Sequence, residues 1–455
     1  MELIAEVISQ TGTRERRRRL LPAAAVMVFV LGCCLFSGEG YGEVVRKLAG
    51  QLAPLAGPGG WRVPGTAALA RARRRLGPAP FAALFTALAG PLAGPATPGA
   101  YAFGRLLAAV DGTTLDVPHT PANLAAWGPP PRGPAGQGAF PQIRLMTLAG
   151  CGTRGLADAV FAPGAGKGHA EQALTITLAG RGALGPGVLV LADRNLCGYH
   201  VVAALTATGA DVLIRVKSTT TLPVLGILPD GSYTSVLPDP AASRLRYHRN
   251  RKRRRTGKLP PDPVTLEGIT VRVIQADITA TPAHGQPTTG RYRLITTILD
   301  PAAAPASQIA ATYAQRWEAE TGYKELKVFL RGARRVLRSA DPAGIEQETW
   351  ALLCACQLIH TTRAAAAEHA GLDPDRISFT VTLRATRRRI TTGQAHHTTI
   401  TEILTQLLPH HRRHRSYPRA PHATPNCRRN LTATSSGPTN YTITITAPHP
   451  DQPSP

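Results

Sequence analysis

Tyr313, Arg316, Glu320 and Lys327 fall in the segment YAQRWEAETGYKELK at successive spacings of three, four and seven residues. On a regular α-helix these offsets stack on one face. That face would carry a phenol, a guanidinium, a carboxylate and an ammonium where a core helix would carry Leu, Ile or Ala. A hard oxygen ligand among phosphate-seeking groups is what a site that cuts a nucleic-acid strand requires. Taken alone, the pattern also fits a solvated outer face in which Glu320 pairs with Lys324 or Arg316.

Two aspartates upstream give the stripe its context. Asp111 closes the apolar run RLLAAVD before Gly112-Thr113, and Asp193 closes VLVLAD before Arg194-Asn195. Both are read as carboxylates at strand ends, held on rigid elements as a metal site needs. The ordinary alternative is a helix N-cap, above all for Asp193 ahead of a helix near Cys197. Together, Asp111, Asp193 and Glu320 offer three hard ligands for Mg²⁺ or Mn²⁺, with two ions expected. Two such ions assist an in-line displacement at phosphorus by activating the attacking oxygen and stabilising the leaving one.

The elements that must position these groups can be read from the pattern. Residues 1–98 read as a small helical domain. Within it, the basic run Arg16 to Arg19 and the apolar run LLPAAAVMVFVLGCCLF resemble a signal peptide. That run is short for a bilayer and contains Pro22 and Gly32, so it is read as a buried helix. The segment Leu69 to Leu76 carries Arg71, Arg73, Arg74 and Arg75 and reads either as a DNA-facing helix or as a plain surface helix. LAGPLAGPATPGA reads as a linker. Three strands, a helix, a strand, a helix and a strand then follow in order, a mixed α/β pattern of the ribonuclease-H type. A β-rich insertion spans about 218–290, with HRNRKRRR as a charged loop. QETWALLCACQLIHTTRAAAAEHA reads as an apolar helix, and the chain from about His410 onward reads as a disordered basic tail.

Bulk numbers narrow the partner. The chain has 455 residues, 52 Lys plus Arg against 28 Asp plus Glu, and a net charge of +24. Such a surplus favours a polyanion, with nucleic acid foremost. Seven scattered cysteines without CxxC spacing support neither a disulfide framework nor a zinc site and fit a reducing, cytoplasmic compartment. His396, His397, His410, His411 and His414 are read as part of a solvated basic tail.

On VDGTTLDVP with Asn123 and Gly128, on LADRNLCGY, and on the Tyr-Arg-Glu-Lys array, the chain resembles the DDE transposases of the IS4 family, which include the Tn5 and Tn10 enzymes. RRRRLLPAAAVMVFVLGCCLF and ARRRLGPAPFAALF resemble that family's N-terminal helical domain. The resemblance covers about residues 10–370. It implies an end-binding domain at 1–98, a ribonuclease-H-like catalytic domain at 99–370, and a helix and tail at 371–455. It also implies that Asp111, Asp193 and Glu320 bind the metals, and that Tyr313, Arg316 and Lys327 hold backbone phosphates. The implied partners are double-stranded DNA (inverted-repeat ends and target) and a second copy of the chain, at the bacterial nucleoid and not in a membrane. Some members close a DNA hairpin with an aromatic wedge in the insertion. Here Trp61, Trp127, Trp317 and Trp350 all lie outside it, leaving Tyr233, Tyr247 and Tyr292. A relative that binds DNA without cutting it is the alternative reading, and a protein anchored through residues 20–36 is a third.

Overall fold

The computed structural model describes residues 1–15, 21–55, 62–133, 136–166, 168–217, 219–255, 267–281, 286–393, 395–409 and 440–448. The basic run Arg16 to Arg19, Trp61, and the histidines from His410 lie outside the described residues. The chain divides into two compact units, and the strand Arg105–Asp116 gives its first residues to one and its last to the other.

The first unit gathers Met1–Ala100, Val110–Leu174 and Trp317–His410. Its N-terminal part is helical, as expected, with helices at Glu2–Gln10, Ala23–Leu35, Thr66–Leu76 and Ala79–Leu88 among them. Ala23–Leu35 is apolar all round and buried on nearly every side, as suits a helix without a polar face. No described helix is long and apolar enough to cross a membrane. The 28-residue helix Pro342–His369 packs on Ala23–Leu35 and Ala79–Leu88. Trp350 joins Phe85 and Phe161 at ring-centroid distances of 5.4 and 5.0 Å. Beside this core, Gln142–Gly150 and Leu156–Pro163 form the expected antiparallel hairpin, next to the end of the Asp111 strand.

Two expectations change in this unit. The Gly/Pro segment after Leu88 is docked rather than a free linker. Cβ atoms added at Gly150, Gly152 and Gly155 would come within 2.9, 2.9 and 2.7 Å of Pro91, Pro98 and Gly90. Gly90 N–H also donates to Leu156 O at 2.9 Å. The arginine helix is divided by its own periodicity. Arg71 and Arg74 are exposed, whereas Arg73 is buried and donates to Gln347 Oε1 at 2.9 Å, Ser339 Oγ at 3.1 Å and the Tyr41 hydroxyl.

Deep in the same unit, two buried guanidiniums meet three carboxylates. Arg154 is paired with Glu318 at 2.9 Å, with Glu325 at 3.0 Å and with Asp375. Fully buried Arg363 reaches Glu325 at 3.3 Å. His360, also buried there, has its pKa driven well down, by burial first and then by the two arginines, so it adds no charge.

The second unit gathers Tyr101–Ala109, Thr175–Arg316 and the C-terminal strand Asn440–Ile445. The Arg105 strand pairs in parallel with Val188–Ala192, and that strand pairs in parallel with Asp211–Arg215. The helix Tyr199–Thr206 makes the crossover between the latter two, the connection parallel strands need. Val188–Ala192 is wholly apolar because a parallel central strand is covered on both faces. Thr288–Thr296, Gly268–Thr281, Tyr233–Pro238 and Gly226–Ile227 then add antiparallel partners in that order. The insertion is β-rich, as expected. Its basic stretch is not a loop, however: Pro240–Arg255 is a helix. Asp239 Oδ1 accepts from Ala241 N–H at 2.8 Å at its start, and Arg and Lys are good helix formers. The described part of the tail is not disordered either. Asn440–Ile445, with Thr alternating with Tyr and Ile, pairs with Gly268–Thr281 from Asn440↔Thr281 to Ile445↔Ala276.

Removing Glu325 would leave Arg154 and Arg363 short of compensation in a buried setting. Glu325→Ala is therefore expected to cost about 3–5 kcal/mol in denaturant unfolding. Glu43→Ala, which breaks the exposed pair with Arg46, should cost under about 1 kcal/mol.

Candidate active site

Asp111 does not end its strand. Arg105–Asp116 runs twelve residues, and Asp111 is the seventh, half-buried after four buried apolar residues. The strand continues because TTLDV keeps β-branched residues and places Leu115 and Val117 in the core. Gly112 is required by packing: a Cβ there would meet Met146 Sδ at 2.6 Å and Glu171 Oε1 at 3.1 Å. Asp111 Oδ1 accepts from Gly112 N–H at 2.8 Å.

Asp193 follows the last residue of its strand, as expected, and its side chain also caps a short 3₁₀ turn, Arg194–Leu196. Its Oδ1 accepts from Asn195 N–H at 2.8 Å. The cap thus holds the carboxylate in place through one of its oxygens. In the second unit, Ala109 pairs with Leu191 across parallel strands.

The segment carrying Glu320 is not one regular helix. Tyr313–Arg316 is a 3₁₀ turn, Trp317–Lys324 is α-helical, and Glu325–Leu330 is a π turn in which Arg331 N–H bonds to Leu326 O at 3.0 Å. In a 3₁₀ turn residues three apart eclipse, so Tyr313 and Arg316 superpose more closely than on an α-helix. The wider π turn advances fewer degrees per residue and rotates Lys327 away from the position an unbroken α-helix would give it. Such single π turns occur often at functional sites.

Within the second unit, Tyr313 and Arg316 stand beside Asp193. The Tyr313 hydroxyl donates to Ala192 O at 3.2 Å. Burial first, and the Asp193 charge further down, push that phenol up to about 12 against the pull of Arg316 and Arg215. Both side chains are buried, Tyr313 at 6% and Arg316 at 8% exposure, so their first effect is to fix the strand end from which Asp193 projects.

Within the first unit, the helix of Glu320 is fastened to the strand of Asp111. The Tyr323 hydroxyl meets both Asp111 O and Thr147 Oγ1, the latter at 2.9 Å. Lys327 Nζ donates to Thr113 Oγ1 at 3.0 Å. Thr113 lies two residues from Asp111 and so shares its strand face. Burial, and then the neighbouring Arg331 charge, hold the Lys327 ammonium below its ordinary pKa. Sequence reasoning missed Tyr323, although it sits three residues after Glu320 with a polar tip. It also missed Glu171, whose carboxylate lies against Gly112.

The donor chemistry fits a divalent cation, since every candidate ligand is a hard carboxylate oxygen. Among the described residues, no group of three or more His, Cys, Asp or Glu side chains is arranged to hold a metal ion. Mg²⁺ keeps several waters and takes few protein ligands; an all-protein cage is not its usual site.

Residues 102–358 match the family model described as the transposase DDE domain, and residues 1–86 match that of the insertion element 4 transposase N-terminal region. The chain is thus a DDE-type DNA transposase, with a ribonuclease-H-like core and a metal-dependent catalytic domain. More closely, it belongs to the IS4 family of these enzymes. It is 26% identical over 399 residues, 86% of this chain and 81% of the relative, to the transposase InsG for insertion sequence element IS4 of Escherichia coli strain K12. Among solved structures it matches a cryo-EM structure of the piggyBac transposase synaptic complex with hairpin DNA. That match has 10% identity and a TM-score of 0.42, over 95% of this chain and 86% of that one. DNA is its substrate.

Tyr323→Phe removes one buried hydroxyl with two partners. It should cost about 1–2 kcal/mol in unfolding and slow DNA cleavage while duplex binding is retained. Wild-type cleavage by this variant would show that the contact does not position the site.

Proposed function

We propose that Asp111, Asp193 and Glu320 are the carboxylates that bind the catalytic metal, and that Tyr313, Arg316 and Lys327 hold backbone phosphates of the DNA. The observation that carries this reading is the fastening of the Glu320 helix to the Asp111 strand through Tyr323 and Lys327. The fixed placement of Asp193 by its own cap supports it. Mg²⁺ or Mn²⁺, as a pair, would supply Lewis-acid activation of the attacking oxygen and charge neutralisation on the leaving one. The carboxylates orient that chemistry, and the cations on the same segment keep the scissile phosphate in line.

On this reading the enzyme nicks DNA at terminal inverted repeats and joins the freed 3′-hydroxyl to target DNA, working as a homodimer that bridges both ends. A cytoplasmic location at the nucleoid fits that substrate. The division into an end-binding domain at 1–98, a catalytic domain at 99–370 and a tail beyond is proposed on the same grounds. For a hairpin wedge, the insertion offers little. Tyr233 is buried in the sheet, and Tyr292 lies beneath Arg215 at 4.3 Å, while Tyr247 is exposed on the basic helix.

Asp111→Asn, Asp193→Asn and Glu320→Gln should each abolish cleavage of a duplex carrying the DNA that flanks the gene, and each should still bind it. Near-wild-type cutting by any one would remove that residue from the triad. Arg316→Ala should weaken binding and lower its salt dependence, because each phosphate contact releases counterions; an unaltered slope argues against a phosphate role.

A further inference from the structure

The first unit contains a cavity of about 330 Å³ whose wall includes Arg73, Arg331, Arg335 and Arg338 together with Glu39 and Glu348. Arg331 is the unusual member. It is 7% exposed, and its Nε and Nη1 are buried without a hydrogen-bond acceptor. Leaving two buried guanidinium nitrogens without acceptors is expensive, so Arg331 points to a partner that arrives from outside.

The other groups in the wall are already engaged. Arg338 donates to Glu39 O at 2.7 Å and to Ser37 O, and Arg335 donates to Ser37 O at 2.7 Å. Glu348 accepts from Arg338 N–H at 2.9 Å and from Ser339 Oγ at 3.0 Å. Glu39 is paired with Lys47 at 2.6 Å. Glu348 and, outside the wall, Asp116 act on Arg331 through their charge, but neither gives its Nε or Nη1 an acceptor. Cys33, also in the wall, is no rival anion, because burial pushes its thiol up to about 12. Lys327 precedes Arg331 by four residues and feels its charge, and Asp116 acts on both. The cationic run therefore leads from the Asp111 strand towards the cavity.

We propose that this cavity is a subsite for a backbone phosphate of the DNA, with Arg331 as its buried partner and Arg335 at its rim. The subsite extends the phosphate contacts beyond Lys327, and it rests on the transposase reading of the site. The guanidinium fork matches two phosphate oxygens at once, and a free phosphate anion presents the same chemistry.

The test measures binding of a duplex carrying the gene's flanking DNA across a salt series, for wild type, Arg331→Gln, Arg331→Lys and Arg335→Gln. Thermal melting of each in inorganic phosphate runs alongside. Arg331→Gln and Arg335→Gln should each reduce the slope of log K against log salt by about one, and Arg331→Lys should keep most of it. Unchanged slopes overturn the proposal, and if Arg331→Gln does not fold, Arg335→Gln decides alone. A phosphate-induced rise in melting temperature lost in the variants, with unchanged DNA slopes, also overturns it and identifies a free-anion site. These readouts involve no cleavage. Carboxylate variants that still cut would sink the active-site reading and leave this test standing; unchanged slopes with dead carboxylate variants would sink only the subsite.

Discussion

Two buried positive charges set the terms for the helix that carries Glu320. Arg154 and Arg363 are buried, and an uncompensated charge there would cost several kcal/mol. Their compensation comes largely from Glu318 and Glu325, two residues before and five residues after Glu320. That requirement fixes the rotation and height of the segment. Tyr323 and Lys327, between and beyond those anchors, then fall onto the Asp111 strand. Glu320 is thus held by neighbours whose own reason for being there is electrostatic.

The π turn at Glu325–Leu330 follows from the same constraint. Glu325 has to face inward towards Arg154 and Arg363, while Lys327 has to reach Thr113. An extra residue in the turn permits both, at the expense of the regular stripe that the spacing suggests.

Much of this was legible in the sequence, and what was not has identifiable causes. Apolar strands, the Ala23–Leu35 helix and the hairpin around Cys151 follow from periodicity and burial, which act locally. Asp111 and Asp193 were legible because Asp after an apolar run is rare enough to notice, and Glu320 because it stands in the Tyr-Arg-Glu-Lys spacing. The buried roles of Arg73, Arg154 and Arg331 were not legible, since a guanidinium looks the same whether it meets Gln347, a carboxylate cluster or DNA. Their partners lie hundreds of residues away: Arg73 with Gln347, Arg154 with Asp375. Asn440–Ile445 was hidden by the Arg, His and Pro around it, although its alternation is that of a strand. High positive charge therefore overstated the DNA-facing surface, because part of it holds the fold together.

Metal binding by Asp111, Asp193 and Glu320 is the property on which the proposed active site depends. Calorimetric titration of Mn²⁺ into the wild-type protein bound to a duplex with the gene's flanking DNA should show binding that Asp111→Asn, Asp193→Asn and Glu320→Gln each weaken at least tenfold, roughly one lost ligand interaction of about 1.4 kcal/mol or more. Mn²⁺ binding of wild-type strength in any folded variant would contradict it.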